Sequence, residues 1–354
     1  MHMWSDSLAL AAYGAQRRAT RARLARSIVR MASLAIVSLA AWSSAPGADA
    51  PKVGTVNLVV ENDVFYNNDR DYTNGIAIIW VPKVDAPPDW ALAVARWLPW
   101  FPKEGTPRHG YAIGQNMYTP RDITLVNPPV TDRPYAGWLY ATIGLGLETE
   151  RQLDQFALSV GMVGPASLAD QTQIWVHGIT GSPEPRGWHT QLSNEPGIML
   201  TYQRAWRTLL PTSSTGLAFD LTPHLGGALG NVYTYANAGL TLRYGRNLLV
   251  DYGPPRIQPS APGSNFFAPP DKFAWYIFAG IEGRAVARNI FLDGNTFRDS
   301  RSVDKEPLIG DLHLGLTFTW KDVRLSYTHV KLTREFKGQL GRSEFGALSL
   351  SLLY

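Results

Sequence analysis

Three observations predict an all-β fold, an antiparallel transmembrane β-barrel of about twelve strands with a short helix in one of its outer loops. Segments of alternating apolar and polar residues recur to the end of the chain, the pattern of strands with one apolar and one polar face. After the first fifty residues, no apolar run approaches the roughly 20 residues that a spanning helix needs. Charged residues make up only 18% of the chain, against 32 Gly, 12 Trp and 15 Tyr, which suits strands carrying glycine and aromatic girdles at the membrane interfaces.

The first fifty residues are set apart from the fold. Arg17, Arg18, Arg21, Arg23, Arg26 and Arg30 precede an apolar run from Met31 to Ala41, then small residues and Ala48-Asp49-Ala50. This is the order of a secretory signal peptide. The expected organisation is a leader over 1–50, cut near Ala50 or Ala45, and one barrel domain over 51–354. Taking the leader's six arginines from 33 basic residues, and Asp6 and Asp49 from 29 acidic ones, leaves 27 of each. A neutral mature chain gives no electrostatic case for nucleic-acid binding. With no Cys, a disulfide framework and thiolate zinc sites are excluded.

The period-two segments begin near Thr55, Thr73, His109, Ala136, Asp154, Pro196, Thr215, Asn231, Phe273, Gly310, Val323 and Ser343. The last, SEFGALSLSLLY, ends on an aromatic residue after Leu348, Leu350 and Leu352, like the terminal strand of an outer-membrane barrel. Alternation alone would also suit a soluble β-sandwich. If strand one starts in the periplasm, the long polar connections after strands one, three, five and nine fall together outside, while Glu150–Leu153 and Trp320–Asp322 become short inner turns, as such barrels prefer. Two segments fit this scheme poorly. Val84–Arg108 contains PPDWALAVARWLPWFP, an amphipathic helix for the inner interface or for capping the barrel end, and Asn247–Lys272 suggests no role.

The connection from Gly164 to Glu195 is the richest in chemistry. From Ala166 to Gly178 it reads as a helix, with Gly164-Pro165 before it, Ser167 as N-cap and Asp170 three residues on. Gln173 and His177, four apart, share one face with Asp170 a turn back. Ile174, Trp175 and Val176 cover much of the rest, a surface such a helix is expected to bury. A lone His on such a helix is more often a satisfied hydrogen-bonding group than a base. In strand one, TVNLVVEN, alternation puts Val56, Leu58, Val60 and Asn62 toward lipid and Asn57, Val59 and Glu61 toward the lumen. An amide at the outer end of an apolar stripe calls for a polar cover, which the helix can supply. The plainer reading of Asn62-Asp63 is a strand end entering a turn.

Taken together and in order, ENDVFYNNDRDYTNG, YTPRDI, DRPYAGW, VGPASLADQTQIWVHG and GWHTQLSNE resemble the outer-membrane lipid A 3′-O-deacylase family. The resemblance covers most of the mature chain. It implies a twelve-stranded barrel in the bacterial outer membrane, lipopolysaccharide as substrate, and a calcium-dependent site between the outer wall and a loop helix. Carried over motif by motif, the site residues are Asn62, Asp63, Thr73, Gln173 and His177, with Asp63, Asn62 and Thr73 as oxygen ligands for Ca2+. The family's Lys beyond Tyr-Thr-Pro is missing, and Arg121 is the nearest cation for a substrate phosphate. The acidic residue after the His has no firm counterpart, Glu184 lying beside the matching position.

These residue types suit ester hydrolysis, in which a base deprotonates water and a positive centre receives the oxyanion. Neither a GxSxG elbow nor a HExxH zinc motif occurs in the sequence. DRPYAGW reads independently as a salt-bridged loop entering strand four, with Tyr135 and Trp138 as interfacial aromatics. Two other functions share the expected fold: a pore or structural barrel, and a barrel that binds lipid A or transfers acyl groups. No obligatory protein partner is indicated.

Overall fold

The computed structural model describes residues 54–62, 71–83, 104–211, 216–248, 251–257, 265–267 and 269–354, with Pro88, Asp89, Ala93 and Pro102 as isolated positions and backbone alone at 71–73 and 209–211. The expected leader, Asp63 and most of the expected helix within 84–108 lie outside the described residues.

Twelve antiparallel strands close on themselves. They are β1 (Thr55–Asn62), β2 (Asp71–Val81), β3 (Thr106–Thr119), β4 (Ala136–Glu148), β5 (Gln152–Val163), β6 (Glu195–Trp206, continued after Arg207 by Thr208–Pro211), β7 (Leu217–Gly230), β8 (Tyr233–Arg246), β9 (Ala274–Asn289), β10 (Leu308–Trp320), β11 (Val323–Leu332) and β12 (Glu344–Leu353). Each pairs with its sequence neighbours, and β1 closes the ring against β12, Thr55 opposite Leu353 through Asn62 opposite Gly346. Closure leaves no strand edge unpaired, which the hydrocarbon would penalise.

Facing follows the period-two pattern. On β1, Thr55, Asn57, Val59 and Glu61 are buried toward the lumen while Val56, Leu58, Val60 and Asn62 lie outward. The outward face elsewhere carries exposed Ile76, Ile78, Ile113, Ile143, Ile198, Ile277 and Leu316, an apolar band for lipid.

The two ends of the barrel differ. Short turns join β4 to β5 and β10 to β11 at one end, the first closed by Thr149 N–H donating to the Gln152 carbonyl (2.8 Å). At the other end the connections after β3, β5 and β9 pack together over a core of Tyr118, Trp138, Leu192, Tyr233, Phe291 and Phe345. Arg301 Nη2 donates to the Pro128 carbonyl (2.6 Å), and Glu195 accepts from Asn231 (3.0 Å) and Asn295 (3.1 Å), tying three connections into one cap.

Residues from the 247–272 connection enter the lumen. Asp251 is held by Arg243 and by Arg324, whose Nη1 lies 2.7 Å from Asp251 Oδ2, all three fully buried. Arg207, Arg108 and Arg324 lie over the rings of Tyr252, Phe266 and Phe267 at 5.2, 3.9 and 4.7 Å. Further in, Asn57 Nδ2 donates to the Asn265 carbonyl (2.8 Å), and Ile257 N–H donates to Glu61 Oε1 (3.1 Å). The described residues of this connection, for which the sequence suggests no role, thus form a luminal plug. Facing charges on β8 and β11 are matched by its acid, and its rings cover luminal guanidinium groups.

Candidate active site on the outer wall

The 164–194 connection leaves β5 at Gly164, whose positive φ of 94° suits glycine. A short 3-10 turn, Pro165–Ser167, leads to α1 (Ala169–Thr180). The expected Ser167 cap is not formed. Leu168 in left-handed geometry occupies the N-cap without a side-chain bond, and the helix runs past Gly178 to end at Gly181, φ 71°. Gly178 continues the helix because the left-handed terminator comes three residues later. The Ser167 side chain is instead pressed against the barrel.

That contact fixes α1 to the outside of the wall. A Cβ on Gly137, on the outward face of β4, would fall 2.1 Å from Ser167 Oγ and 2.3 Å from Ala169 Cβ, so glycine permits the approach. Gln115, outward on β3, donates from Nε2 to the Ser167 carbonyl (2.6 Å). Met117, Ile123, Tyr135, Ala169 and Trp188 form a small apolar cluster beneath.

The helix sits on the wall in the opposite sense to the expected one. Gln173 and His177 are only 2% and 8% exposed, whereas Ile174, Trp175 and Ile179 are 48%, 63% and 47% exposed. In water the apolar side would turn inward. Here the polar side lies inward and the apolar side is left exposed.

His177 Nδ1 lies 2.5 Å from the Pro183 carbonyl. A carbonyl can only accept, so Nδ1 carries the proton in neutral imidazole and Nε2 keeps its lone pair. Trp188 Nε1 donates to Gln173 Oε1 (2.7 Å). An indole only donates, so the amide orientation is fixed and Gln173 Nε2 is a buried donor with no partner among the described residues. Trp188 is held in turn by Tyr135, ring centroids 4.8 Å apart, and a Cβ on Gly187 would strike the Tyr135 ring at 2.6 Å. Tyr135 donates its hydroxyl to the Ile123 carbonyl (3.2 Å), and burial raises its phenol above the ordinary value, keeping it a neutral donor.

The sheet register brings Asn62 and the backbone of Thr73 to the neighbouring stretch of wall. Asn62 is opposite Asn74, Asn74 opposite Met117, and Met117 opposite Gly137. This row of outward positions runs from β1 to the foot of α1. Thr73 is the extra residue of a β-bulge between Tyr72 and Asn74, the device that re-aims a side chain beside functional sites. Asn62 and His177 thus both belong to the outer side of the wall, the region on which the resemblance bears.

A profile of the outer membrane protein LpxR family matches residues 31–354. The chain belongs to the LpxR family. Among solved structures, LpxR from Salmonella typhimurium superposes with a TM-score of 0.68 at 18% identity, covering 85% of this chain and all of that one. The β domain of the Bordetella autotransporter BrkA matches at 0.40 and 8% identity over 85% of this chain and 98% of that one. The KdgM porin matches at 0.35 and 5% over 85% and 99%. Curated protein sequences yield no match. As an LpxR-family member, the chain is an integral outer-membrane β-barrel.

The remaining candidates stand apart from the buried pair. Arg121 is exposed just beyond β3, its backbone N–H donating to Asp132 Oδ2 (2.8 Å). Glu184 is exposed next to Pro183. Among the described residues, no three His, Cys, Asp or Glu side chains gather as a metal site. The Ca2+ donor set drawn from the resemblance is Asp63 with the neutral oxygens of Asn62 and Thr73. Hard oxygen donors of this kind match the cation's chemistry, and Asn62 stands beside the bulge that carries Thr73.

DRPYAGW departs from its expected role in one respect. Arg133 does form the salt bridge, to Glu335 at 3.2 Å. Tyr135 and Trp138, however, are buried rather than interfacial. Tyr135 braces Trp188, and Trp138 stacks on Tyr140 with centroids 4.2 Å apart on the luminal side. Trp188, Gly137 and Gln115 are the positioning residues that sequence reasoning missed. All three lie in or next to conspicuous motifs, but which partner each meets depends on a loop folding back over the wall.

Proposed function

We propose that this barrel is a lipid A deacylase, hydrolysing the 3′-linked acyloxyacyl ester in the outer leaflet with a water activated by His177. The observation that carries the reading is the tautomer of His177. Its Nδ1 proton is committed to the Pro183 carbonyl, and its basic Nε2 belongs to a buried face turned to the outer wall.

The catalytic sequence on this reading is short. His177 Nε2 takes a proton from water, and the resulting hydroxide attacks the ester carbonyl. Gln173 Nε2, the only polar end of that amide left after Trp188 takes the other, donates to the attacking water or to the oxyanion. The imidazolium then returns its proton to the departing sugar oxygen. Asn62, Asp63 and Thr73 would hold Ca2+, which when bound polarises the ester carbonyl as a Lewis acid. Glu184 would be a further carboxylate for that ion, and the exposed Arg121 would meet a substrate phosphate, as a planar fork where the family pattern has a point charge.

Mass spectrometry of lipid A from cells with and without the protein tests the reading. Loss of an acyloxyacyl mass is expected; a gained acyl chain would indicate transfer, and an unchanged spectrum alongside ion conductance would indicate a pore. For the cation, turnover of the purified barrel should vanish in chelator and return with added calcium.

A further inference from the structure

The outward side of α1 is not used by the hydrolysis described above. Leu168, Ile174, Trp175 and Ile179 are all exposed, and at their helical spacing they form one apolar ridge, with Gln171 at its near end. From Gln171 to Ser182 the chain has no formally charged side chain apart from any charge on His177, which is turned inward. The ridge continues an established surface. The foot of α1 rests on β3 and β4 through Gln115 and Gly137, and the same faces of those strands carry the exposed lipid-band residues Ile113 and Ile143.

We propose that this ridge is a docking surface for the acyl chains of outer-leaflet lipid, so that α1 lies embedded in the leaflet beside the barrel rather than above it in water. The inverted arrangement supplies the physical reason. Exposing four large apolar side chains while sequestering a glutamine and a histidine is unfavourable in water and favourable next to hydrocarbon. The ridge gives the buried polar face of α1 a lipid margin, and a lipid ester reaches that face sideways from the leaflet. This inference rests on the barrel's place in the outer membrane and is independent of whether the pocket hydrolyses anything.

The absence of native cysteine makes the test direct. Ile174→Cys, Trp175→Cys and Ile179→Cys are each labelled with a nitroxide in the full mature barrel and reconstituted in vesicles containing lipopolysaccharide. Ile113→Cys on the wall and Val130→Cys in the 120–135 connection serve as references. Heat-modifiable mobility confirms folding of each variant, and three ridge positions guard against the loss of any one. Collision with oxygen and exclusion of a water-soluble nickel chelate, as at Ile113, are expected. Nickel access like that at Val130 would overturn the proposal, and so would shielding from both reagents, which would mean that protein, such as a second copy, covers the ridge.

Discussion

Glu61 and Asn62 are consecutive residues of one strand and face two differently organised regions. On the luminal side, Glu61 accepts the Ile257 amide of the plug, and nearer the short-turn end of the barrel Asp251 has its carboxylate engaged by two guanidinium groups. On the outer side, Asn62 lies in the row that leads to α1. There Gln173 Nε2, Asp170 Oδ1 and Ser167 Oγ are buried without partners among the described residues. Buried polar groups are normally satisfied. The carboxylates of Glu61 and Asp251 are engaged by protein and mark a structural latch, while the open groups under α1 lie on the segment that carries His177. The guanidinium of Arg256 in the plug and Oδ1 of Asn57 on β1 also lack partners among the described residues, so the neighbourhood of the base, not openness alone, sets the outer region apart. The contrast predicts that plug substitutions alter stability and closure, while wall substitutions alter chemistry.

The sharpest division should come from His177→Ala. Loss of a general base lowers rate by about 10²–10⁴-fold, so fatty-acid release from purified lipid A should fall by that factor while heat-modifiable mobility stays that of the folded barrel. Retained full activity would remove His177 as the base.

Asp251→Ala should do the reverse. It leaves Arg243 and Arg324 buried without their shared acid, at a cost of about 3–5 kcal/mol. Urea unfolding should shift to lower concentration and planar bilayers should show new conductance, while the folded fraction keeps its acyl release. A variant that stays closed and loses only activity would collapse the distinction between the regions.

Gly137→Ala probes the seating of α1. With the added methyl within 2.3 Å of both Ser167 Oγ and Ala169 Cβ, helix or wall must move, and overpacking of this kind costs about 1–3 kcal/mol. Activity should fall by roughly tenfold at unchanged barrel stability, a conversion of 1.4 kcal/mol per decade. An equal loss in both would place the glycine in the barrel's own packing.

The smallest effect belongs to Trp188→Phe, which keeps the ring against Tyr135 and deletes the N–H to Gln173. A net hydrogen bond is worth about 0.5–1.5 kcal/mol, so kcat should drop about 2–10-fold with KM little changed. A change confined to KM would assign Trp188 to substrate binding instead of to holding the amide.

The strands were highly legible because each turns on a local quantity. Expected starts at Thr55, Ala136 and Val323 coincide with β1, β4 and β11, and those at Asp154, Pro196 and Ser343 fall within two residues of β5, β6 and β12. The helix boundaries were less so. Ser167 has the side chain of a good N-cap, but the tertiary contact with Gly137 claims its position and Leu168 becomes the cap. The connection after β8 was illegible, because Asp251 meets its partners on β8 and β11, pairings that no local pattern encodes.

By itself the sequence determined the number of strands, the inward and outward alternation that sets Glu61 and Asn62 back to back, and the pairing of Gln173 with His177 on one helical face, since these follow from periods of 2.0 and 3.6 residues. Only the tertiary structure decided which side of α1 is buried and what fills the lumen. A helical stripe specifies that two faces differ, but not which medium surrounds them, and the direction of burial follows from the wall and lipid that the helix meets after the barrel has closed.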